Sequence, residues 1–503
     1  MGRKQKPGII LKAGRTSADL GRLTAEYDSH LGKYYVGRDR YVNRALNMED
    51  QASFFLGPKG SGKSAILQMV HLEMADQPNR IIRLSPTQLA FSALANIDIA
   101  SPLLQDPQKK QWLYKSLWDY IFATEVGGRE FVDEGSIIGK LKNFVRGKDE
   151  RLVRRLLRMK YDDNGQPESL STRFLKLIKE IELSGTVDID GLQLGAKGTI
   201  DPREGGSNKQ GQFKLLGMIH QVAARLADTI HSQYYVLIDD LDVDWHNEPV
   251  QNEIVAAMFA SLRKVCRPPH LKCVVSIQDR IFRELPIEHK DKFRDSLCSV
   301  DWDAPSVMEM IERRILYVLD ISRPKIWNGL FPPGAFDFIW KRIGGKPREA
   351  IRFASICIET ARKNNHKAID DEDMKAAMKK FSSERLEDIA SELEYLYPSF
   401  IGFLRHFNGY PKEFPTHRIK DAVENCILSS MEPDKNRLSW IGGYENNYHE
   451  LLKVMLENQI LLFKNSRTDT AQIFNPLEHD VFSPHAFVAF HPMYNSGLGL
   501  LGS

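Results

Sequence analysis

Apolar positions along this chain follow two rhythms. Up to about residue 303 the strong signals are short unbroken apolar runs, each ending on a polar turn: Phe54-Phe55-Leu56, Ile81-Ile82 within "NRIIRLSP", Tyr235 to Ile238, and the run in "LKCVVSIQDRIF". Runs of this length without alternation predict strands buried on both faces of a parallel sheet. A further strand is expected in "FRDSLCSVDWDAP", ending at Trp302. From about residue 304 the rhythm becomes helical, in "SVMEMIERRILYVL", "GAFDFIWKRI", "PREAIRFASICIETARKN" and "DDEDMKAAMKKFSSERLEDIASELEYLY". Apolar residues three and four apart give each segment one buried stripe, so an all-helical domain is expected up to Tyr397.

Residues 398–503 break the pattern again. Helical segments such as "YHELLKVMLENQI" precede strand-like "LLFKN" and "AFVAFHPMY", the order of a winged helix with a two-stranded wing. Within the first part lies an insertion at about 90–215. It opens with a helix in "QKKQWLYKSLWDYIFATEV" and continues through the basic stretch 140–160. A hairpin candidate, "GTVDIDGLQLGAKGTID", and the polar loop "DPREGGSNKQGQ" close it. The expected division is a basic arm at 1–30, an α/β core at 31–303 carrying the insertion, helices at 304–397, and a winged-helix-like end at 398–503.

Composition changes this picture little. Hydrophobic residues make up 42% and charged residues 27%, ordinary for a globular protein. A net charge of +3 excludes a polybasic molecule as a whole, though not a basic patch. The five cysteines show no metal-ligand spacing and read as reduced thiols of a cytoplasmic protein. No apolar window is long enough to span a membrane, and no membrane partner is expected.

Candidate chemistry concentrates where strands end. "SFFLGPKGSGKSAILQMV" fits G-x-x-x-x-G-K-[ST] between a strand and a helix. There the backbone of Gly57, Pro58, Lys59, Gly60, Ser61, Gly62, Lys63, Ser64 and Ala65 can cradle phosphates, with a helix N-terminus behind it. Lys63 would reach the terminal phosphates and Ser64 would hold Mg²⁺. "YYVLIDDLDVDW" delivers Asp239 and Asp240 at the end of another strand, the first toward Mg²⁺ and the second toward the attacking water. Ser276 and Gln278 end a third strand and can lie beside the γ-phosphate. The cofactors expected are therefore ATP and Mg²⁺, on an α/β P-loop NTPase core of parallel sheet and flanking helices, with an all-α lid and a winged-helix-like C-terminal domain.

Together with "VGRDRYVNRAL" before the loop and "GGKPREAIRF" in the helical part, these motifs resemble the STAND and origin-recognition branch of AAA+-type P-loop ATPases. Within it they resemble bacterial STAND-like ATPases of antiviral defence islands. The resemblance covers about 35–90 and 215–400 well, the C-terminal domain loosely and the insertion hardly at all. It implies an adenine pocket at Val36, Gly37 and Arg38. It also implies a lid motif at Gly345, Pro347 and Arg348, with Arg348 contacting phosphate. Two departures matter. The third strand ends Ser276-Ile277-Gln278-Asp279-Arg280 where relatives often carry Arg or Asn, and Asp240 replaces a usual Glu. Slow hydrolysis in a switch is the expectation, with catalytic roles for Lys63, Asp239, Asp240, Gln278 and Arg348.

Partners remain to be read from charge. Arg151, Arg154, Arg155 and Arg158 recur at helical spacing and would share one face, which could neutralise nucleic-acid phosphates or simply be solvated above a leucine stripe. One reading is an ATP-driven switch, acting as a homo-oligomer on a protein effector or trigger, with Arg280, Arg283 or Arg294 reaching a neighbour. The other is an ATP-dependent DNA-binding loader or initiator-like protein using 140–160 and the winged-helix-like domain.

Overall fold

The computed structural model describes residues 20–85, 107–130, 154–162, 164–186, 207–241, 245, 248–265, 270–319, 326–327, 329–343, 345–429, 438–476 and 478–501. The chain divides into two compact units, one of residues 37–300 and one that joins 20–36 to 301–501.

The first unit is built on a five-stranded parallel sheet. Its strands are β1 (Phe54–Leu56), β2 (Ile81–Leu84), β3 (Tyr234–Ile238), β4 (Leu271–Ile277) and β5 (Leu297–Ser299), in the order β2-β3-β4-β1-β5. All five residues of β3 and all seven of β4 are buried, Lys272 and Ser276 of β4 included, which is why neither strand shows apolar-polar alternation. β1 pairs Leu56 with Ile277 on one side and Ser299 on the other, and β3 pairs Ile238 with Val275. The last strand stops at Ser299, short of the expected Trp302. β1 is itself only three residues long, so it offers no partner beyond the bond from Val300 N–H to Leu56 O at 2.7 Å.

Helices cover the sheet. They are α1 (Lys63–Glu73), α2 (Pro107–Glu130), α3 (Leu170–Thr186), α4 (Ser207–Thr229), α5 (Pro249–Val265) and α6 (Asp279–Glu284). The insertion packs through α2, whose Trp118, Leu117 and Phe122 are buried with Phe174 of α3 and Leu216 of α4. Trp118 Nε1–H donates to Ile254 O at 2.9 Å, tying the insertion to α5. Buried Asp119 accepts from Ser261 Oγ and pairs with His220, so one carboxylate joins α2, α4 and α5. The hairpin expected at 187–194 lies outside the described residues. Cys273 in β4 is disulfide-bonded, so the reading of reduced thiols does not hold for it, whereas Cys298, Cys357 and Cys426 are buried free thiols.

The second unit begins with α7 (Ala304–Leu319), α8 (Ala335–Ile343), α9 (Pro347–Lys363) and α10 (Asp371–Leu393). A capping box starts α10: Asp370 accepts from Asp373 N–H at 2.8 Å and the Asp373 carboxylate accepts from Asp370 N–H. Next come α11 (Phe400–Arg405), β6 (Glu413–Pro415), α12 (Arg418–Ser429), α13 (Tyr448–Glu457), β7 (Leu461–Lys464) and β8 (Phe487–Phe490). The three strands form an antiparallel sheet in the order β6-β8-β7. Helix, strand, two helices and two strands closing on the first strand is winged-helix topology. His491 follows β8 and is buried, and desolvation pushes its imidazole down to about 3, so it packs as a neutral ring. No helix among the described residues is long and apolar enough to cross a membrane.

Residues 20–36 are held to α7 by one buried cation. Arg314 Nη1–H donates to Leu20 O at 2.7 Å and to Asp28 Oδ2 at 3.3 Å, and the guanidinium lies 4.3 Å from the Tyr34 ring centroid. The Tyr34 hydroxyl donates to the other Asp28 oxygen. Arg314→Ala therefore leaves a buried carboxylate without its cation. The expected loss is about 3–5 kcal/mol, read from the urea midpoint of the second unit. Arg313→Ala, whose partner Glu309 is exposed, is expected to lose about 1 kcal/mol or less.

Candidate phosphate site at the carboxyl ends of the strands

In a parallel sheet every strand ends on the same edge. Here that edge carries Gly57 after β1, Gln278 after β4 and Asp239 after β3. The turn from Gly57 to Gly62 needs its glycines. Gly60 and Gly62 hold φ of 83° and 91°, a left-handed backbone that a Cβ penalises. At Gly57 an added Cβ would lie 2.6 Å from Ser61 Oγ and 3.2 Å from Val300 O, so the turn also lies too close to its neighbours for a side chain.

Lys63 opens α1 and is buried. Its ammonium donates to Gly57 O at 2.9 Å and Pro58 O at 3.0 Å, two carbonyls of the turn itself. Those bonds offset part of the desolvation cost and hold the charge across the mouth of the turn. Ile66 N–H bonds Gly62 O at 3.2 Å, so the α-helical ladder starts there. The first turn of any helix has N–H groups with no intrahelical acceptor, and Ser64 and Ala65 lie in that turn. The macrodipole adds partial positive charge at the same point. Pro58 and Lys59 form the outer rim, with Lys59 exposed and Ser61 buried beneath it.

Asp239 continues β3 by donating its N–H to Leu84 O at 3.2 Å. Its side chain is buried, and Oδ2 meets no hydrogen-bond donor among the described residues. A buried anionic oxygen in that condition is costly, and a hydrated divalent cation is the group that would satisfy it. Asp239 and the Ser64 hydroxyl thus fit Mg²⁺ by donor type, both being hard oxygens. Asp240 takes φ of 59°, left-handed backbone that costs roughly 1 kcal/mol or more. Gln278 has extended backbone and caps α6, its carbonyl accepting from Phe282 N–H at 3.0 Å.

The remaining expected residues fall elsewhere. Gly37 is left-handed at φ 93°, and Arg38 pairs with Glu73 at the far end of α1. Nothing near either residue in sequence announces Glu73. Val36 and Arg348 belong to the other unit. Val36 is buried there, and Arg348 is the second residue of α9, after Pro347 and the left-handed Gly345. In the basic stretch, Arg155 pairs with Glu180 at 2.7 Å and Lys160 with Glu125 at 3.1 Å, while Leu156 and Leu157 are buried. Residues 140–153, Asp242 and Asp244 lie outside the described residues.

Comparison with known proteins adds three findings. The model of the FunZ-associated C-terminal helical domain matches residues 305–390. An 80.3 kDa protein of transposon gamma-delta from Escherichia coli (strain K12) is 22% identical over 226 residues, which span 42% of this chain and 32% of that protein. Two solved structures superpose along most of the chain. The Aeropyrum pernix ORC1 protein in complex with DNA gives a TM-score of 0.37 at 10% identity, covering 94% of this chain and 95% of that one. Drosophila ORC bound to DNA gives 0.31 at 12% identity, covering 99% and 96%. Both scores are low, and the fold assignment stands on the strand order and the glycine turn.

The turn's geometry makes a stability prediction. Gly62→Ala forces an L-residue into left-handed backbone and is expected to cost the core unit about 1–2 kcal/mol, seen as a lowered urea midpoint, with Gly217→Ala in α4 as the neutral or stabilising control.

Proposed function

We propose that the chain binds ATP with Mg²⁺ at the carboxyl edge of the core sheet and hydrolyses it slowly, as a nucleotide-dependent switch. The observation that carries this reading is the convergence of the Gly57–Ser64 turn with Asp239, whose buried Oδ2 lacks a donor among the described residues. In this reading Lys63 exchanges its two loop carbonyls for β- and γ-phosphate oxygens. The backbone from Gly57 to Ala65 holds the phosphate chain, and Gly37 and Arg38, with Val36, border the base. Ser64 and Asp239 would hold Mg²⁺, which supplies neutralisation of phosphate charge when bound. Gln278 and Asp240 orient the attacking water, and the resemblance implies a phosphate-contacting role for Arg348.

Slow turnover follows from Asp240. Its side chain is one methylene shorter than glutamate, and its left-handed backbone constrains where the carboxylate can point. The nucleotide state then controls assembly of a homo-oligomer or a protein effector in the cytoplasm, prokaryotic defence being the setting that the resemblance implies. Arg280, Arg283 and Arg294 are the arginines proposed to act on a neighbour's nucleotide.

The winged-helix topology favours a second reading, an ATP-dependent DNA-binding loader or initiator-like protein. In helix-turn-helix proteins the second helix of the motif enters the major groove, and α13 occupies that place. Its Lys453 is paired with Glu450 at 2.8 Å and lies over the Phe482 ring, and Glu457 is exposed on the same helix. That face carries little unneutralised positive charge for phosphates, which is why the switch is preferred.

Steady-state ATP hydrolysis separates the two readings. Slow turnover that duplex DNA leaves unchanged, and that Lys63→Ala abolishes, is the expected result. Stimulation by DNA at low salt would transfer the case to the loader. No turnover above the Lys63→Ala background would overturn the catalytic claim. Mg²⁺ with ATP is also expected to raise the melting temperature of the protein, an effect that Asp239→Asn removes.

A further inference from the structure

The core unit holds a second pocket at the opposite edge of the sheet, where the strands begin. It encloses about 330 Å³ between the starts of β1 and β4, the end of α5 and the turn before β5. β4 runs seven residues from this edge to the other, so the pocket lies about 20 Å from the phosphate turn. Its floor is apolar, formed by Phe54, Leu271 and Phe293 among others, all buried.

Its polar groups are unbalanced. Among the described residues Asp50 is the one carboxylate lining it, and Arg44 already engages it through Nε at 3.0 Å and Nη2 at 3.4 Å, while Ala52 N–H donates to it at 2.8 Å. Three cations line the same space: Arg263, Lys272 and Lys292. Arg263 and Lys292 have no carboxylate partner among the described residues, and Arg263 lies 5.9 Å from the Phe293 ring centroid. Lys272 is 3% exposed, and its ammonium donates to the Asp50 carbonyl oxygen, one acceptor for three N–H groups. Burial pushes this lysine down to about 8, with Arg44 adding to the effect and Asp50 opposing it. A buried ammonium with one acceptor, in a pocket also lined by two cations that lack a carboxylate partner among the described residues, is a costly arrangement for a surface that meets only water.

We propose that this pocket is a binding site for a small organic phosphate monoester, its apolar group seated on the Phe54–Leu271–Phe293 floor and its dianionic head held by Arg263, Lys272 and Lys292. A dianion matches the charge excess better than a single carboxylate, since Asp50 is already neutralised by Arg44. The guanidinium of Arg263 offers a fork that fits two phosphate oxygens, and the two lysines act as point charges. The proposal does not depend on ATP binding at the other edge.

Phenyl phosphate is the probe, titrated calorimetrically into the Lys63→Ala protein so that the phosphate turn does not report. One saturable site is expected, weakened by high salt and weakened about tenfold or more in Arg263→Gln/Lys292→Gln. Both of those side chains are exposed, so the double variant should keep its fold, checked by an unchanged melting temperature. Pyridoxal phosphate gives a second readout. The neutral Lys272 amine attacks the aldehyde carbon, water leaves as the imine forms, and borohydride then delivers hydride to carbon while water protonates nitrogen. Mass mapping should find Lys272 labelled and phenyl phosphate slowing that labelling. The proposal is overturned by an absence of saturable phenyl phosphate binding, by binding indifferent to the double variant, or by labelling that phenyl phosphate does not slow. Capture of a 5′-phosphorylated oligonucleotide without phenyl phosphate binding would also overturn it.

Discussion

β4 lies between β1 and β3, and the geometry of the carboxyl edge follows from that placement. Two strand spacings separate the glycine turn from Asp239, roughly 10 Å in a sheet. That gap can accommodate a phosphate group and a hydrated cation. Gln278 follows the strand in the middle of the gap. The order is enforced by burial: all seven residues of β4 are buried, and a one-residue slip would carry Asp239 or Gln278 into the sheet. β4 carries one buried charged residue, Lys272 at its start, whose ammonium reaches the Asp50 carbonyl, and a carboxylate drawn into the ladder would need a partner of its own.

Because the sheet is sealed on its faces, polar groups collect at its two ends. At the carboxyl end they are the glycine turn, Lys63 and Asp239. At the amino end they are Arg44, Asp50 and Lys272, with Lys272 reaching the Asp50 carbonyl across a separation of 222 residues. The two sets differ in how they are satisfied. Lys63 finds two carbonyls and Asp50 finds a guanidinium, whereas Asp239 Oδ2 meets no donor and Lys272 meets one acceptor among the described residues. A partner of opposite charge would complete each incomplete group.

What could be read before the structure was what is local in sequence. The unbroken apolar runs became β1 to β4, and the helical rhythm after residue 304 became α7 to α10, because burial of both strand faces or one helix stripe leaves a mark within a few residues. The glycine turn was legible for the same reason, since its φ angles demand glycine at Gly60 and Gly62. Strand order was not legible, because nothing in "LKCVVSI" says that it separates two other strands. β6 was missed: Glu-Phe-Pro is too short to show a pattern and becomes a strand only beside β8. The left-handed turn at Asp240, the Arg38–Glu73 pair and the Arg314–Asp28 anchor depend on neighbours distant in the chain or on backbone that a residue name does not reveal.

Counting basic residues is therefore a poor guide to anion binding in this molecule, and the state of their partners is a better one. Of the basic stretch 140–160 only residues 154–160 are described, and there Lys160 is half-buried against Glu125 and Arg155 pairs with Glu180. The α13 helix occupies the place of a recognition helix, yet its Lys453 is engaged by Glu450, and Phe482 lies against His449 with ring centroids 4.5 Å apart and planes tilted by 42°. Phosphate binding gains from releasing counterions, and a cation already neutralised by a carboxylate has few to release. By that criterion the α13 helix and the described end of the basic run say less about nucleic acid than their names suggest. The same criterion singles out Arg263 and Lys292, which have no carboxylate partner among the described residues and line one pocket with the buried Lys272, in a part of the sequence with no motif at all.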